Sequence, residues 1–143
     1  MTAPRSRKEA ITYTKHLKQT DNSVCPFCHI DPKDEQYVDE TRYFFVIKNT
    51  FPYSIWDGQE VKDHLMVTPK VHTDSLGTMT QTARLEYVDI LEKYEKQGYN
   101  IYARAPTSII KTIVHQHTHL IKTAGKPRRV LFMLRKPYIR FSM

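Results

Sequence analysis

The sequence of 143 residues has only two cysteines, no long apolar run and no acidic residue after Glu95. Two cysteines cannot form the several disulfides that hold a small secreted scaffold together. The longest apolar stretches, Tyr43 to Ile47 and Val130 to Leu134, are far shorter than the ~20 residues that a membrane-spanning helix needs. No apolar run follows the basic residues near the N-terminus, so no secretory signal is predicted. We therefore expect a cytoplasmic protein with no membrane partner.

The acidic side chains are all in the first two thirds of the chain, which hold 15 of them. The residues after Glu95 include ten of the 22 basic side chains, so the C-terminal third is a positive field beside a nearly neutral body. Phosphate-bearing ligands, including nucleic acid and polyphosphate, are natural partners of such a field. A solvated basic surface that serves solubility is the alternative.

Length and composition indicate one folded domain with a basic extension at its start. Hydrophobic residues make up 40% of the chain and charged residues 26%, which is typical of a protein with a core. We divide the chain into a basic N-terminal arm over 1–22, helical from Arg7 to Lys18, and a domain over 23–143.

Strands and one main helix alternate along this domain. Segments rich in β-branched and aromatic residues predict strands at Tyr43–Lys48, His64–Thr68, Tyr99–Arg104, Thr112–Lys122 and Val130–Lys136. A 3.6-residue apolar period predicts the main helix between Thr80 and Lys96, with Thr80 as N-cap and Gly98 as the breaker. The predicted fold class is α+β, built on a mostly antiparallel sheet of about five strands.

Three histidines alternate with other residues inside an apolar segment: His115, His117 and His119. In a strand such residues point to the same face, about 6.8 Å apart at each step. Three imidazoles in a row can bind a metal, act as general acid or base, or include a nucleophile that attacks phosphorus. Merely structural histidines are the alternative.

These histidines resemble the signature of the histidine triad (HIT) superfamily, His-x-His-x-His followed by apolar residues. The segment Asp63–His72 resembles the family's G-H-hydrophobic-hydrophobic-V-x-P-K-x-H motif, with Asp63 where glycine is common. Val46–Tyr53 is similar to the stretch before that motif in the diadenosine-polyphosphate phosphorylase and galactose-1-phosphate uridylyltransferase branches. Cys25–Cys28 stands where many bacterial members have Cys-x-x-Cys. The resemblance covers residues 25–121, and the basic tail over 122–143 matches no family motif.

The resemblance implies a HIT-like fold, a homodimer and nucleotide chemistry at the α-phosphate. The expected enzyme hydrolyses a nucleoside phosphoramidate or a dinucleoside polyphosphate through a covalent nucleotidyl-histidine. His117 matches the nucleophile, and His119 and His64 match the groups that position the phosphate and the leaving group. Asn49 matches the position that binds the ribose hydroxyls, and Ile47 matches the lining of the base pocket. Since the transferase branch usually has glutamine in place of His119, hydrolysis is favoured over transfer.

The two cysteines, Cys25 and Cys28, supply half of a tetrahedral zinc site. The resemblance implies that His72 and His115 complete a structural Cys2His2 site. A redox dithiol is one alternative, but it needs a buried strand before the pair and a long helix after it, and neither is predicted. Free cysteines packed as small apolar groups are the other alternative.

The residues just before the triad depart from the family pattern. Most hydrolase members have Gly-Gln-Ser where this chain has Ile110, Lys111 and Thr112, and Arg104 replaces an asparagine of the phosphoramidase branch. Thr112 keeps a hydroxyl, whereas the two cations could clamp a more anionic substrate, because arginine forks onto phosphate oxygens. They could equally point outward as part of the basic surface. A non-catalytic module that binds a nucleotide or a nucleic-acid end, and a nucleotidyltransferase, are the alternative functions.

Overall fold

The computed structural model of the chain describes residue 5 and residues 7–19, 24–127, 131–135 and 138–142. Two α-helices lie in these ranges, α1 (Arg7–Gln19) and α2 (Gln81–Glu95). The strands are β1 (Tyr37–Glu40), β2 (Phe44–Lys48), β3 (Ile55–Trp56), β4 (Gln59–Pro69), β5 (Tyr99–Ala103), β6 (Thr118–Pro127), β7 (Leu131–Arg135) and β8 (Tyr138–Ser142). Short 3₁₀ turns occupy Pro26–Cys28 and Leu76–Thr78. No helix within these ranges is long and apolar enough to cross a bilayer.

Six of the strands form one antiparallel sheet in the order β1-β2-β4-β6-β5, with β3 paired to one end of β4. The long strands β4 and β6 therefore lie near the middle of this sheet. β7 and β8 pair with each other as a separate antiparallel hairpin. The predicted α+β fold is confirmed, with five strands in a row, a main helix and a helical N-terminal arm.

One face of the sheet packs against α2 and forms the larger hydrophobic core. Val46 lies opposite Val67 in the pairing of β2 with β4, and both are buried together with Leu120 of β6. α2 adds Ile90 and Tyr94 to the same cluster. These two residues are four positions apart and thus share one face of the helix. This core fixes β4 and β6 relative to each other.

The opposite face of the sheet carries the candidate site. Ile47 and Met66 lie opposite each other in β2 and β4, and they pack with Phe27 and Ile30 from the loop before β1. His64 is two residues from Met66 on the same strand, so its side chain emerges on this face. The sheet therefore presents histidines to the side that the cysteine-bearing loop covers.

The ends of α2 match the sequence signals. The hydroxyl of Thr80 accepts the backbone N–H of Ala83 at 3.2 Å, which satisfies a donor that the first turn leaves unpaired. Gly98 has a φ of +85° and its N–H donates to the carbonyl of Glu95 at 2.8 Å. Both the predicted cap and the predicted breaker are confirmed.

The last predicted strands differ from the observed ones. β6 begins at Thr118 rather than at Thr112, because the backbone N–H of Gln116 donates to the carbonyl of Thr73 at 2.6 Å instead of joining the sheet. The predicted strand Val130–Lys136 corresponds to β7, but it pairs with β8 and does not extend the main sheet. The side chains of the basic tail after Gly125 lie outside the described residues.

Candidate active site and metal centre

Three buried histidines form one group, called here the histidine cluster: His64 on β4, with His117 and His119 around the start of β6. His64 lies opposite Ile121 and Met66 lies opposite His119, so the two histidines are diagonal neighbours on one face. Nε2 of His64 is 2.9 Å from Nδ1 of His119. The ring centroids of His117 and His119 are 5.1 Å apart. The structure thus brings together the three residues predicted to be catalytic.

A backbone carbonyl sets the protonation of His117. Nδ1 of this ring lies 2.8 Å from the carbonyl oxygen of His115. A carbonyl only accepts hydrogen bonds, so Nδ1 carries the proton and Nε2 keeps a free lone pair. Burial, assisted by the charges of Lys111 and Arg104, lowers the pKa of His117 and keeps the ring neutral near pH 7. A neutral imidazole with a free Nε2 has the form that a nucleophile requires.

A chain of hydrogen bonds orients His64 and His119. The backbone N–H of Tyr53 donates to Nδ1 of His64 at 3.1 Å, so the proton of that ring lies on Nε2 and points at Nδ1 of His119. His119 therefore carries its own proton on Nε2, which is 3.4 Å from the Tyr53 hydroxyl. Burial lowers the pKa of His64 to about 3 and that of His119 well below its usual value. Both rings are neutral, and their N–H protons have fixed directions.

The two residues predicted to bind the nucleoside lie close to the histidine cluster but differ in exposure. Nδ2 of Asn49, just after β2, is 3.4 Å from Nδ1 of His64, the ring nitrogen that accepts, and its Oδ1 accepts the N–H of Phe51 at 2.9 Å. This turn holds the amide beside the cluster. Ile47 is fully buried in the core with Phe27 and has no exposed surface in this structure.

The predicted cations Arg104 and Lys111 lie in the segment between β5 and β6. Nζ of Lys111 donates to Oε1 of Gln116 at 3.2 Å, which holds the ammonium group near the triad. Both charges contribute to the lowered pKa of His117, and Arg104 also acts on His119. The two side chains are therefore more than part of a solvated basic surface, because their charges disfavour protonation of the histidine cluster.

A second group, called here the metal group, contains Cys25, Cys28, His72 and His115. The donor atoms of these four side chains all lie within 4.8 Å of one another. The Sγ–Nδ1 distance is 3.2 Å between Cys28 and His72, and 3.3 Å between Cys25 and His115. In a tetrahedral zinc site of ordinary bond lengths, sulfur and nitrogen ligands are about 3.6 Å apart. The four side chains fit a structural zinc ion.

The surroundings of His115 also suit metal binding. Its Nε2 lies 2.9 Å from the carbonyl oxygen of Pro69, so Nε2 carries the proton and Nδ1 faces the cysteines with a free lone pair. Burial lowers the pKa of His115 to about 4. The ring is thus neutral, as a metal ligand must be.

The geometry of the cysteine loop argues against a redox dithiol. The turn that begins after Cys25 is three residues long, whereas a reactive dithiol needs the N-terminus of a long helix to lower the pKa of its thiol. Burial, reinforced by the neighbouring Cys25, raises the pKa of Cys28 instead. A bound cation reverses this preference because it stabilises the thiolate.

Comparison with known proteins gives the fold. No family model and no curated protein matches the sequence. A histidine triad nucleotide-binding protein from Sulfolobus tokodaii is 23% identical, with a TM-score of 0.56 over 73% of each chain. A zinc-bound histidine triad family protein from Mycobacterium smegmatis is 21% identical, with a TM-score of 0.54 over 73% of this chain and 79% of its own. A HIT family hydrolase from Legionella pneumophila is 19% identical, with a TM-score of 0.52 over 72% of this chain and 94% of its own. This chain has the histidine triad fold.

Within this histidine triad fold, the N-terminal helix makes contacts that the sequence motifs did not predict. The hydroxyl of Tyr13 on α1 is 2.7 Å from Oγ1 of Thr112, the predicted phosphate-binding hydroxyl. The guanidinium of Arg5 lies 5.2 Å from the ring centroid of Tyr53, whose hydroxyl faces His119. No sequence signal could have found these contacts, because they depend on where the arm packs on the domain.

Proposed function

We propose that this chain is a zinc-bearing nucleotide hydrolase that cleaves at the α-phosphate, with His117 as its nucleophile. The observation that carries this proposal is the hydrogen bond from Nδ1 of His117 to the carbonyl of His115, which leaves Nε2 free. Proteins that share the fold are described as a HIT family hydrolase and a histidine triad nucleotide-binding protein. The proposed substrates are nucleoside phosphoramidates and dinucleoside polyphosphates.

In the first step, the lone pair on Nε2 of His117 forms a bond to the α-phosphorus. The bond from phosphorus to the leaving nitrogen or oxygen breaks at the same time. A polyphosphate departs as an anion, whereas the nitrogen of a phosphoramidate takes up one proton from solvent as its bond to phosphorus breaks and departs as an amine. The His115 carbonyl stabilises the positive charge that the His117 ring gains.

In the second step, water attacks phosphorus and the bond to Nε2 of His117 breaks, with its electron pair returning to the ring. The nucleoside monophosphate leaves, and the surplus proton of the water passes to solvent. The N–H of His119 hydrogen-bonds the phosphate and the leaving group in both steps, and the N–H of His64 positions the His119 ring. Asn49 binds the ribose hydroxyls, and Ile47 lines the base pocket once the base is bound. Further phosphate oxygens are held by Thr112, Lys111 and Arg104.

The metal group has a structural role in this proposal. Cys25, Cys28, His72 and His115 hold zinc, which fastens the cysteine loop to the strands that carry the histidine cluster. Because the ion occupies Nδ1 of His115, it leaves His117 and His119 available for chemistry. Zinc supplies no group to the reacting phosphate.

The test is turnover and intact-mass measurement with a small panel of adenylylated and guanylylated phosphoramidates and dinucleoside polyphosphates. Wild-type protein should show a transient nucleotide adduct, and His117→Ala should lose at least about 10³-fold in kcat. The matched control is His29→Ala, which removes an exposed histidine. Both variants should retain their zinc and their thermal stability.

Other results would favour the alternative functions. If His117→Ala turns over as fast as the wild type, the nucleophile is wrong. Tight nucleotide binding without turnover by the wild type would favour a binding module. An adduct that is released only after a second phosphate compound is added would favour nucleotidyl transfer.

We also propose a homodimer formed along the edge strand β5 and the outer face of α2. β5 lies at the end of the sheet order, and the exposed apolar side chains Leu85, Val88 and Ile101 lie on these two elements. Light scattering should give twice the chain mass, and a double Leu85→Lys and Val88→Lys variant should give a monomer. Nucleic-acid binding by the basic C-terminal third stays a prediction, with steep salt dependence as its signature.

A further inference from the structure

The N-terminal helix lies across two loops that carry proposed substrate-binding residues. On one side, the rings of Tyr13 and His16 have centroids 5.3 and 4.7 Å from that of Phe51, two residues after Asn49. On the other side, the Tyr13 hydroxyl is 2.7 Å from Oγ1 of Thr112. α1 is therefore anchored at the opening of the proposed site and not on a distant surface.

Arg5, just before α1, is held by these same contacts. Its Nε and Nη2 donate to the carbonyl of Phe51 at 3.3 and 3.0 Å. The guanidinium is 4.0 Å from the ring centroid of Tyr13 and 5.2 Å from that of Tyr53. Its position is thus fixed by two hydrogen bonds and two aromatic rings, and three of its five N–H donors have no acceptor among the described residues.

The charge of Arg5 has no acidic partner in the part of the chain that the structure describes, because the ion pairs found there involve lysines only. The charge acts on the histidine cluster, since it contributes to the lowered pKa of His64 and His119. Asp63 is the acidic group that opposes it at His64. The charge of Arg104 also contributes to the lowered pKa of His119.

Three cations from two segments therefore act on the histidine cluster: Arg5 before α1, beside the Tyr53 ring, and Arg104 and Lys111 between β5 and β6. A nucleoside phosphoramidate presents one phosphate and an amine leaving group. A dinucleoside polyphosphate presents further phosphates beyond the scissile bond, and only these need additional cations. Arginine suits this task because its planar fork binds two phosphate oxygens at once.

We propose that Arg5 is a substrate-binding residue that, together with Arg104 and Lys111, makes the site selective for substrates whose leaving group is a phosphate chain. This inference rests on the proposed function and specifies its substrate class. The N-terminal arm is then part of the substrate site.

The test measures binding by calorimetry, which does not require turnover. The probes are inorganic tripolyphosphate and inorganic phosphate, and the proteins are full-length wild type, Arg5→Gln, Arg5→Lys and Lys15→Gln. Lys15 is an exposed cation on α1, so Lys15→Gln changes the charge of the helix without touching the site. Losing one charge-assisted contact should weaken tripolyphosphate binding about ten- to hundredfold in Arg5→Gln, with phosphate affinity kept within about twofold. Arg5→Lys should recover part of the loss.

Several results would overturn the inference. These are a wild type that prefers phosphate to tripolyphosphate, an Arg5→Gln variant that weakens both probes equally, and an equal loss in Lys15→Gln. If Arg5→Gln loosens α1, Tyr13→Phe provides the comparison, because it removes the Thr112 contact and keeps the cation. A loss in Tyr13→Phe as large as in Arg5→Gln would assign the effect to helix packing.

Turnover separates this inference from the proposed function. With wild-type activity established, Arg5→Gln should raise KM for a dinucleoside polyphosphate about tenfold more than it raises KM for a phosphoramidate. If the wild type hydrolyses no nucleotide, the proposed function fails, whereas the calorimetric comparison still decides whether Arg5 binds a phosphate chain.

Discussion

Removing the metal should lower the stability of this protein sharply without unfolding it at room temperature. The cysteine loop is fastened to the sheet in two ways, by the metal group and by the burial of Phe27 and Ile30, which are 5% and 9% exposed. Chelation removes the first fastening only. The apolar contacts of these two side chains with Ile47 and Met66 remain, so the apo protein should keep its fold.

The size of the effect follows from linkage between binding and folding. Zinc at about a thousand times its Kd stabilises the folded state by about 4.1 kcal/mol. The unfolding entropy of a chain of 143 residues is about 0.3 kcal/mol/K, from about 2.1 cal/mol/K per residue. The ratio of the two predicts a fall in Tm of about 14 °C on complete removal of the metal.

Calorimetry with and without a chelator, alongside metal analysis of the purified protein, checks this value. Cys28→Ser should lose the metal and match the chelated wild type, whereas His29→Ala, a change beside it in the same loop, should keep both metal and Tm. A protein without metal after gel filtration would contradict the zinc site. Chelated and zinc-loaded proteins that melt within about 2 °C of each other would contradict the stabilising role of the metal.

Three further predictions concern stability. Leu120→Ala should cost about 2–5 kcal/mol in urea unfolding, because the side chain is fully buried, whereas the exposed Ile109→Ala should change stability by less than about 0.5 kcal/mol. Thr80→Ala should cost about 1 kcal/mol in the same assay, since it removes the bond to the Ala83 N–H. The pKa of His64 is about 3 in the folded protein and about 6.5 when unfolded, so stability should fall between these values as pH drops, by at most about 1.4 kcal/mol per pH unit. His64→Asn should make the free energy of unfolding less dependent on pH in this range. Loss of metal in acid affects the variant and the wild type alike, so it cancels in their comparison. An unchanged pH dependence would show that His64 is not held neutral.

The parts of the fold that the sequence predicted well are those whose signals are local. The main helix has its cap at Thr80 and its breaker at Gly98, and both act through backbone groups within a few residues. The Cys-x-x-Cys pair and the two histidine-bearing motifs each carry part of the metal group. Ligand chemistry pointed to the two cysteines, and the resemblance to the histidine triad superfamily named His72 and His115, so the four members could be named before their positions were known.

The parts that were missed depend on contacts distant in sequence. The N–H of Gln116 donates to the carbonyl of Thr73, so β6 begins later than predicted. No feature of the apolar segment itself predicts that hydrogen bond. The position of Arg5 is set by Phe51, Tyr13 and Tyr53, from two separate parts of the chain. A thin apolar stripe predicts that α1 is helical, but not where the helix docks.

His115 connects the metal group to the proposed chemistry through its backbone. Its Nε2–H donates to the carbonyl of Pro69 and its Nδ1 faces the cysteines. Its own carbonyl accepts a hydrogen bond from Nδ1–H of His117. The proposed metal ligand two residues before the proposed nucleophile thus holds the peptide group that selects the tautomer with a free Nε2. The order of the triad has a physical reason in this chain, because the first histidine has to be immobile for the second to keep its lone pair free. The metal can then support catalysis without contacting the substrate.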